Sequence, residues 1–247
     1  MKTAFRPPLS DERRMLDDVR ARGFAVLPAA GLAGLTDTDL DDLRRFGPGW
    51  DDLPEDGYLR DGGRYRRRRH SCLVVDGDAV RQAPHRAHWQ SLDYNALHGG
   101  MLRMFEPIAP GTLAAPAWAA LLRGLGRCCS ALRGAQPWYV EAHQFRIDTT
   151  DGIGRPTPEG AHRDGVDFVA VILVARHGIK GGETRVFEAD GPGGQRFTLL
   201  EPWSLLFLDD TRVIHESTPI QPADEAGHGH RDTLVLTFRA GAFQGED

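Results

Sequence analysis

The chain has 247 residues with 40% hydrophobic and 26% charged side chains and a net charge of −5. That balance fits a globular fold with a real core, and its length allows one large β domain with added helices as readily as two domains. The acidic charge gives no general reason to expect nucleic acid as a partner, and the longest apolar run, Phe168 to Ala175, is far too short to cross a bilayer. The opening MKTAFRPPLSDERR lacks the apolar stretch of a secretory leader. The three cysteines, Cys72, Cys128 and Cys129, have no metal-ligand spacing, and Cys128 and Cys129 read as core and surface thiols on a helix. A reducing cytoplasm is the expected location.

In chain order, Ser10 is placed to cap a first helix running to Arg22, with Met15, Leu16 and Val19 inward. Gly23 ends it, and FAVLP reads as a short strand. Thr36 starts a second helix with Leu40, Leu43 and Phe46 on one side. Residues 47–63 are rich in Pro, Gly and Asp and read as a loop or lid. Thr112 to Arg133 reads as one long helix whose stripe of Trp118, Leu121, Leu122, Leu125, Cys129 and Leu132 faces a sheet. From Trp138 onward the pattern becomes short β runs: WYVEAHQFRI, VDFVAVILVA, ETRVFEA, QRFTLLE, WSLLFLDD, RVIHESTPI and DTLVLTFRA. Helices first and strands after, without βαβ alternation, predict a mainly β, α+β fold. Its core is a jelly roll with N-terminal and mid-chain helices outside.

Three residues carry the chemistry. His162 and Asp164 are two apart, so in extended backbone both side chains leave the same face, and His215 heads a later β run. Two imidazoles and a carboxylate on one face of a metal form the facial triad of non-haem Fe(II) oxygen chemistry. Because ligand histidines must be neutral, iron affinity is expected to fall as pH drops below their ordinary ~6.5.

A 2-oxoglutarate co-substrate would need a buried cation for its distal carboxylate, and Arg231 at the start of the last strand is well placed. The plain alternative for Arg231 is a surface arginine at a loop end. Thr184 is positioned to add a hydroxyl hydrogen bond. Gln144 and Arg146 alternate with His143 and Phe145, and the sequence leaves open which pair faces inward; Gln144 is provisionally set beside the co-substrate. The basic run RYRRRRH, residues 64–70, is a solvated strand, a nucleic-acid groove, or an anion clamp, of which the clamp fits best.

Taken together, PEGAHRDG, GGET, DDTRVIHESTPI and RDTLVLTF resemble the bacterial 2-oxoglutarate/Fe(II) dioxygenases that hydroxylate free amino acids, of the L-isoleucine 4-hydroxylase type. The resemblance extends through YRRRRHS, the stretch from Asn95 to Arg103 and HQFRI. It implies a double-stranded β-helix (cupin-like) core in one dioxygenase domain, with residues 1–135 as support and 136–247 as jelly roll. It also implies iron on His162, Asp164 and His215, 2-oxoglutarate on Arg231, O2 as oxidant, and succinate and CO2 as co-products. A free aliphatic L-amino acid is the expected substrate, with Arg66, Arg68 and His70 candidates for its carboxylate and Glu159 or Asp210 for its ammonium. Either acid is equally readable as a partner that orients a ligand. Two rival readings are the same chemistry on a nucleic acid or protein, and a cupin-like metal protein without oxygenase activity.

Overall fold

The computed structural model describes residues 5–95, 97–224 and 227–245. The opening read as leader-free therefore falls partly, at residues 1–4, outside the described residues.

A 3-10 turn at Glu12–Arg14 leads into α1 (Met15–Arg22). The 3-10 turn, not α1, carries the side-chain cap, and it is Asp11, not Ser10: the Asp11 carboxylate accepts from Arg13 N–H at 2.9 Å, while the buried Ser10 hydroxyl accepts from Arg22 Nη2 at 3.1 Å. Gly23, at φ 79°, stops α1 as expected and releases β1 (Phe24–Leu27). Thr36 closes α2 (Ala29–Thr36) and does not start a helix; its hydroxyl donates back to Leu32 O at 2.8 Å. The helix expected there is α3 (Leu40–Arg44), capped by Asp39. Residues 47–63 are not a loose lid, because Trp50 is buried and its indole N–H donates to Phe145 O and Thr233 O at 3.1 and 3.2 Å.

Strands β2 (Arg66–Asp76) and β3 (Ala79–Gln82) precede the helical pair α4 (Pro110–Leu113) and α5 (Pro116–Arg133). The single helix expected from Thr112 is split because Pro116 has no N–H to continue a preceding turn. The apolar stripe of α5 is buried as read except for the half-buried Leu132, but so is Cys128, whose thiol burial pushes up to about 11. Then follow β4 (Trp138–Asp148), β5 (Phe168–His177), β6 (Ile179–Gly181), β7 (Thr184–Glu188) and β8 (Gly194–Phe197). The chain closes with β9 (Leu205–Asp209), β10 (Val213–Ser217), β11 (Ile220–Pro222) and β12 (His230–Ala240).

A seven-stranded sheet runs β1-β9-β5-β12-β4-β2-β3, facing a three-stranded sheet β10-β7-β8 and a pair β11-β6. All the strand pairs are antiparallel, the jelly-roll architecture expected. Alternation assigns the two faces. Leu205, Phe207, Ala170, Ile172, Val140 and Leu236 meet α1, α2 and α5 in the main core. Leu206, Leu208, Val169, Leu173, Phe24 and Val26 turn the other way onto Val186, Phe197 and Val213 of the small sheet. This second core fills the β1, β9 and β5 half of the inter-sheet space. Polar residues from β12, β4 and β2 line the other half.

Where α5 crosses α2, Gly124 allows backbone contact: an added Cβ would lie 2.7 Å from Thr36 Cα. Alanine gains ~1 kcal/mol of helix propensity, but the clash with backbone costs ~1–3 kcal/mol. Gly124→Ala is therefore expected to lower the urea midpoint; a raised midpoint would show that α2 yields freely.

Candidate active site

Register lays the polar half out in rows across three strands. Arg66, Ile147 and Arg231 form one row, Arg68, Phe145 and Thr233 the next, then His70, His143 and Val235, then Cys72, Glu141 and Thr237. Most of these residues line a cavity of about 120 Å3 between the sheets. His162, Asp164 and His215 line the same cavity from the opposite side.

His162 and His215 are cross-strand neighbours, bridged by two backbone hydrogen bonds of 3.0 and 2.9 Å. Asp164 lies between them, with its carboxylate oxygens 3.8 Å from His162 Nε2 and 3.7 Å from His215 Nε2. One ligand atom from each of the three falls within 4.8 Å of the others, a set that could hold a metal ion. The donor set fits one: His162 Nδ1 is 3.0 Å from Gly160 O, so its proton is held there and Nε2 is left as a lone pair. Burial opposes charge on His162, but Asp164 and Glu159 outweigh it and raise its pKa. Burial and the neighbouring His162 hold His215 well below the ordinary value.

Two supports fix Asp164. The Asp210 carboxylate accepts the backbone N–H groups of Asp164, Gly165 and Val166 at 3.0, 2.8 and 3.1 Å. Burial and the Asp164 charge push Asp210 up to about 7 against those hydrogen bonds. Asp210 thus fixes the backbone that carries Asp164. Gln90 Nε2 donates to Asp164 Oδ1 at 3.2 Å, while its own Oε1 accepts from Arg103 Nη2 and Asn95 Nδ2 at 3.0 and 3.2 Å.

The family profile described as 2OG-Fe dioxygenase matches residues 47–237. The chain belongs to the 2OG-Fe dioxygenase family. As such the dioxygenase is an enzyme that uses Fe(II), 2-oxoglutarate and O2. A solved bsmA homolog from Methylobium petroleophilum PM1 is 52% identical over 97% of both chains, with a TM-score of 0.92. IDO from Bacillus thuringiensis shares the fold at 18% identity over 94% of this chain and 100% of that one, TM-score 0.75. The Fe(II)/(alpha)ketoglutarate-dependent dioxygenase TqaL does so at 18% identity over 95% and 88%, TM-score 0.72. No curated protein matches the chain. Among the described residues of the dioxygenase, no helix is long and apolar enough to cross a membrane.

The dioxygenase sets its expected site residues as follows. Arg66, Arg68, Glu159 and Arg231 line the cavity with the triad. Arg66 and Arg68 are grouped around Asp56, with Arg66 Nε 2.7 Å and Arg68 Nη1 3.9 Å from Asp56 Oδ2. Three expectations need correction. Gln144 points to the helix side, against Gly49, because β4 turns Glu141, His143, Phe145 and Ile147 inward instead. Arg146, on the same side as Gln144, pairs with Asp232 at 2.7 Å and Asp51 at 3.1 Å. Thr184 is buried beside Ser217 in the small sheet, and it is Ser217 that lines the cavity. His70 is fully buried behind the lining, its Nε2 3.8 Å from Glu141 Oε2 and 3.5 Å from Cys72 Sγ.

Sequence reasoning missed His88, Gln90 and Glu141. Glu141 was in reach, since it stands two before His143 on a strand; His88 and Gln90 lie in an irregular stretch with no period to read. These residues build a second cluster. Glu141 Oε2 is 2.5 Å from His88 Nδ1 and 3.7 Å from His143 Nε2. His70, His88, Glu141 and His143 are spaced closely enough for a metal. Their protons argue otherwise. Arg68 Nη2 lies 2.8 Å from His143 Nδ1 and can only donate, so neutral His143 carries its hydrogen on Nε2, toward Glu141. Burial keeps all three imidazoles uncharged, His70 down to about 3. Burial also raises the Glu141 carboxyl, which the guanidiniums of Arg68, Arg86 and Arg103 pull back. In this arrangement Glu141 Oε2 hydrogen-bonds His88 Nδ1, with the Nε2 atoms of His143 and His70 beyond hydrogen-bond reach at 3.7 and 3.8 Å.

Proposed function

We propose that the dioxygenase hydroxylates a free amino acid, with His162, Asp164 and His215 holding Fe(II) and Arg231 anchoring 2-oxoglutarate. The observation carrying this reading is the row Arg66–Ile147–Arg231, in which two buried arginines on strands whose backbones are about 10 Å apart line one cavity. Each is a grip for a carboxylate. Arg231 makes no ion pair with any described residue, and Arg66 Nη2 is buried without a partner. An amino-acid substrate and 2-oxoglutarate bring one carboxylate to each end.

The bound iron and 2-oxoglutarate supply O2 activation, with succinate and CO2 as co-products. The chain's own residues do the rest. Gly160 O and Gln90 orient His162 and Asp164; Ile147, Val171 and Val235 keep the floor apolar. Glu159, with Oε2 buried and unpartnered, meets the substrate ammonium beside the triad, its Oε1 being 3.5 Å from His162 Nε2. Such positioning of one C–H bond is the protein's main contribution to rate.

A polymer substrate is the weaker reading. The outward guanidiniums of Arg64, Arg67 and Arg69 face Asp151, Glu55, Asp148 and Glu106 at 3.0–3.6 Å, so this basic run is already paired with acids rather than open to nucleic acid.

Anaerobic Fe(II) plus 2-oxoglutarate is expected to give a weak visible charge-transfer band. In Arg231→Ala the band is expected to vanish at the same co-substrate concentration. Admitting air with a panel of free amino acids should then release succinate. No band from wild-type protein loaded with iron would overturn the reading.

A further inference from the structure

The expected aliphatic side chain fits poorly at one end of the cavity. Most of its apolar lining lies elsewhere: Ile147 lies next to Arg231, Val171 faces Val235 across the strands, and Phe145 is covered by Arg68 at 4.5 Å, while Val166 is the apolar exception near the Thr237 end. Around Glu141 the lining is His88, Gln90, Arg103, His143 and Thr237. Glu141 itself is only 6% exposed, and its Oε1 has no hydrogen-bond partner. The guanidinium Nε of Arg103 is likewise buried and unpartnered. A buried acceptor and a buried donor, each unsatisfied and each on a residue lining one cavity, are costly unless a ligand meets them.

The charges around this pair select the ligand. A cationic side chain would meet Glu141 but also the guanidiniums of Arg66, Arg68 and Arg103, which share the cavity. An anionic one would suit those arginines but would face the Glu141 carboxylate. A neutral dipole satisfies both.

Resting on the amino-acid reading above, we infer that this end of the cavity binds an uncharged polar side chain, with a carboxamide as the best match. Its NH2 donates to Glu141 Oε1 and its C=O accepts from Arg103 Nε. His88 Nδ1 hydrogen-bonds Glu141 Oε2 at 2.5 Å and His143 Nε2 faces the same oxygen from 3.7 Å, which leaves Oε1 for the substrate. Gln90 accepts from Arg103 and donates to Asp164, so a side chain seated on Arg103 lies one residue removed from a proposed iron ligand.

Asparagine and leucine are nearly isosteric and separate shape from hydrogen bonding. Protein loaded with Ni(II), which does not turn over, and 2-oxoglutarate is titrated with each, and with glutamine, by calorimetry. A carboxamide amino acid is expected to bind at least ~10-fold tighter than leucine, as the loss of hydrogen bonds at buried polar groups implies. Glu141→Leu should erase that ratio or reverse it. Leucine binding as tightly as both carboxamides in the wild type would overturn the inference, and so would a ratio unchanged in a folded Glu141→Leu. Should Glu141→Leu not fold, the wild-type ratio decides alone. Failure of the underlying reading looks different: the Fe(II)–2-oxoglutarate band is absent, whatever the amino acid.

Discussion

Asp164→Ala is expected to abolish iron-dependent succinate release, with a loss well beyond the ~10–100-fold that removing a supporting partner costs. The carboxylate sits within 3.8 Å of both histidine Nε2 atoms, so on the proposed reading its removal leaves only the two imidazoles as ligands. The variant should nevertheless fold, because Asp210 holds residue 164 through its backbone N–H. Iron per chain, measured beside the melting temperature, separates the two effects. Unchanged iron content with retained turnover would remove Asp164 from the triad. Gln90→Leu tests the support, and there the loss should stay within the ~10–100-fold range.

The largest stability effect is expected at Asp56→Ala. This carboxylate is buried, accepts from Arg66 Nε at 2.7 Å and from Tyr58 N–H at 2.9 Å, and also faces Arg68. Without it two buried guanidiniums lose their counter-charge, and breaking such a pair costs ~3–5 kcal/mol. Burial alone would raise the Asp56 carboxyl, but Arg66 and Arg68 bring it below its ordinary value. A depressed folded pKa stabilises above the unfolded value of ~3.9 and loses that contribution as pH falls further. Acid should therefore weaken the wild type below about pH 4 while weakening Asp56→Ala less steeply. A denaturant midpoint unmoved by the substitution would show that solvent already compensates the arginines.

The strands were legible as short β-rich runs bounded by turn residues, continuous and apolar in β5 and β9, and the neighbouring placement of His162 and Asp164 from their spacing of two. The return of His215 to His162 was legible only as a need, since no local pattern encodes a cross-strand bridge. Alternation also fails to say which face is inward when both are buried. Gln144, 1% exposed, and His143, 3% exposed, are equally hidden, one beneath helices and one beside the cavity. The choice is made by α5 and Trp50 covering one side of the sheet, which is tertiary information. His88, Gln90 and Arg103 were illegible for another reason: their segment is held by single bridges such as His88 to Arg103 and by side-chain hydrogen bonds.

The four consecutive arginines of β2, 66 to 69, also bear on the chain before it folds. Two copies stacking this segment in register would bring like guanidiniums within about 4.8 Å of each other at every position. Only this protein's own acids relieve that repulsion: Asp56 on the inner face and Glu55, Asp148 and Glu106 on the outer. The segment is therefore a poor template for self-association, although it lies next to the short edge strand β3. The hazard passes to β5, FVAVILVARH, which is apolar on both faces and carries no charge until Arg176. The fold confines that strand between β9 and β12, so only an unfolded chain exposes it to another copy.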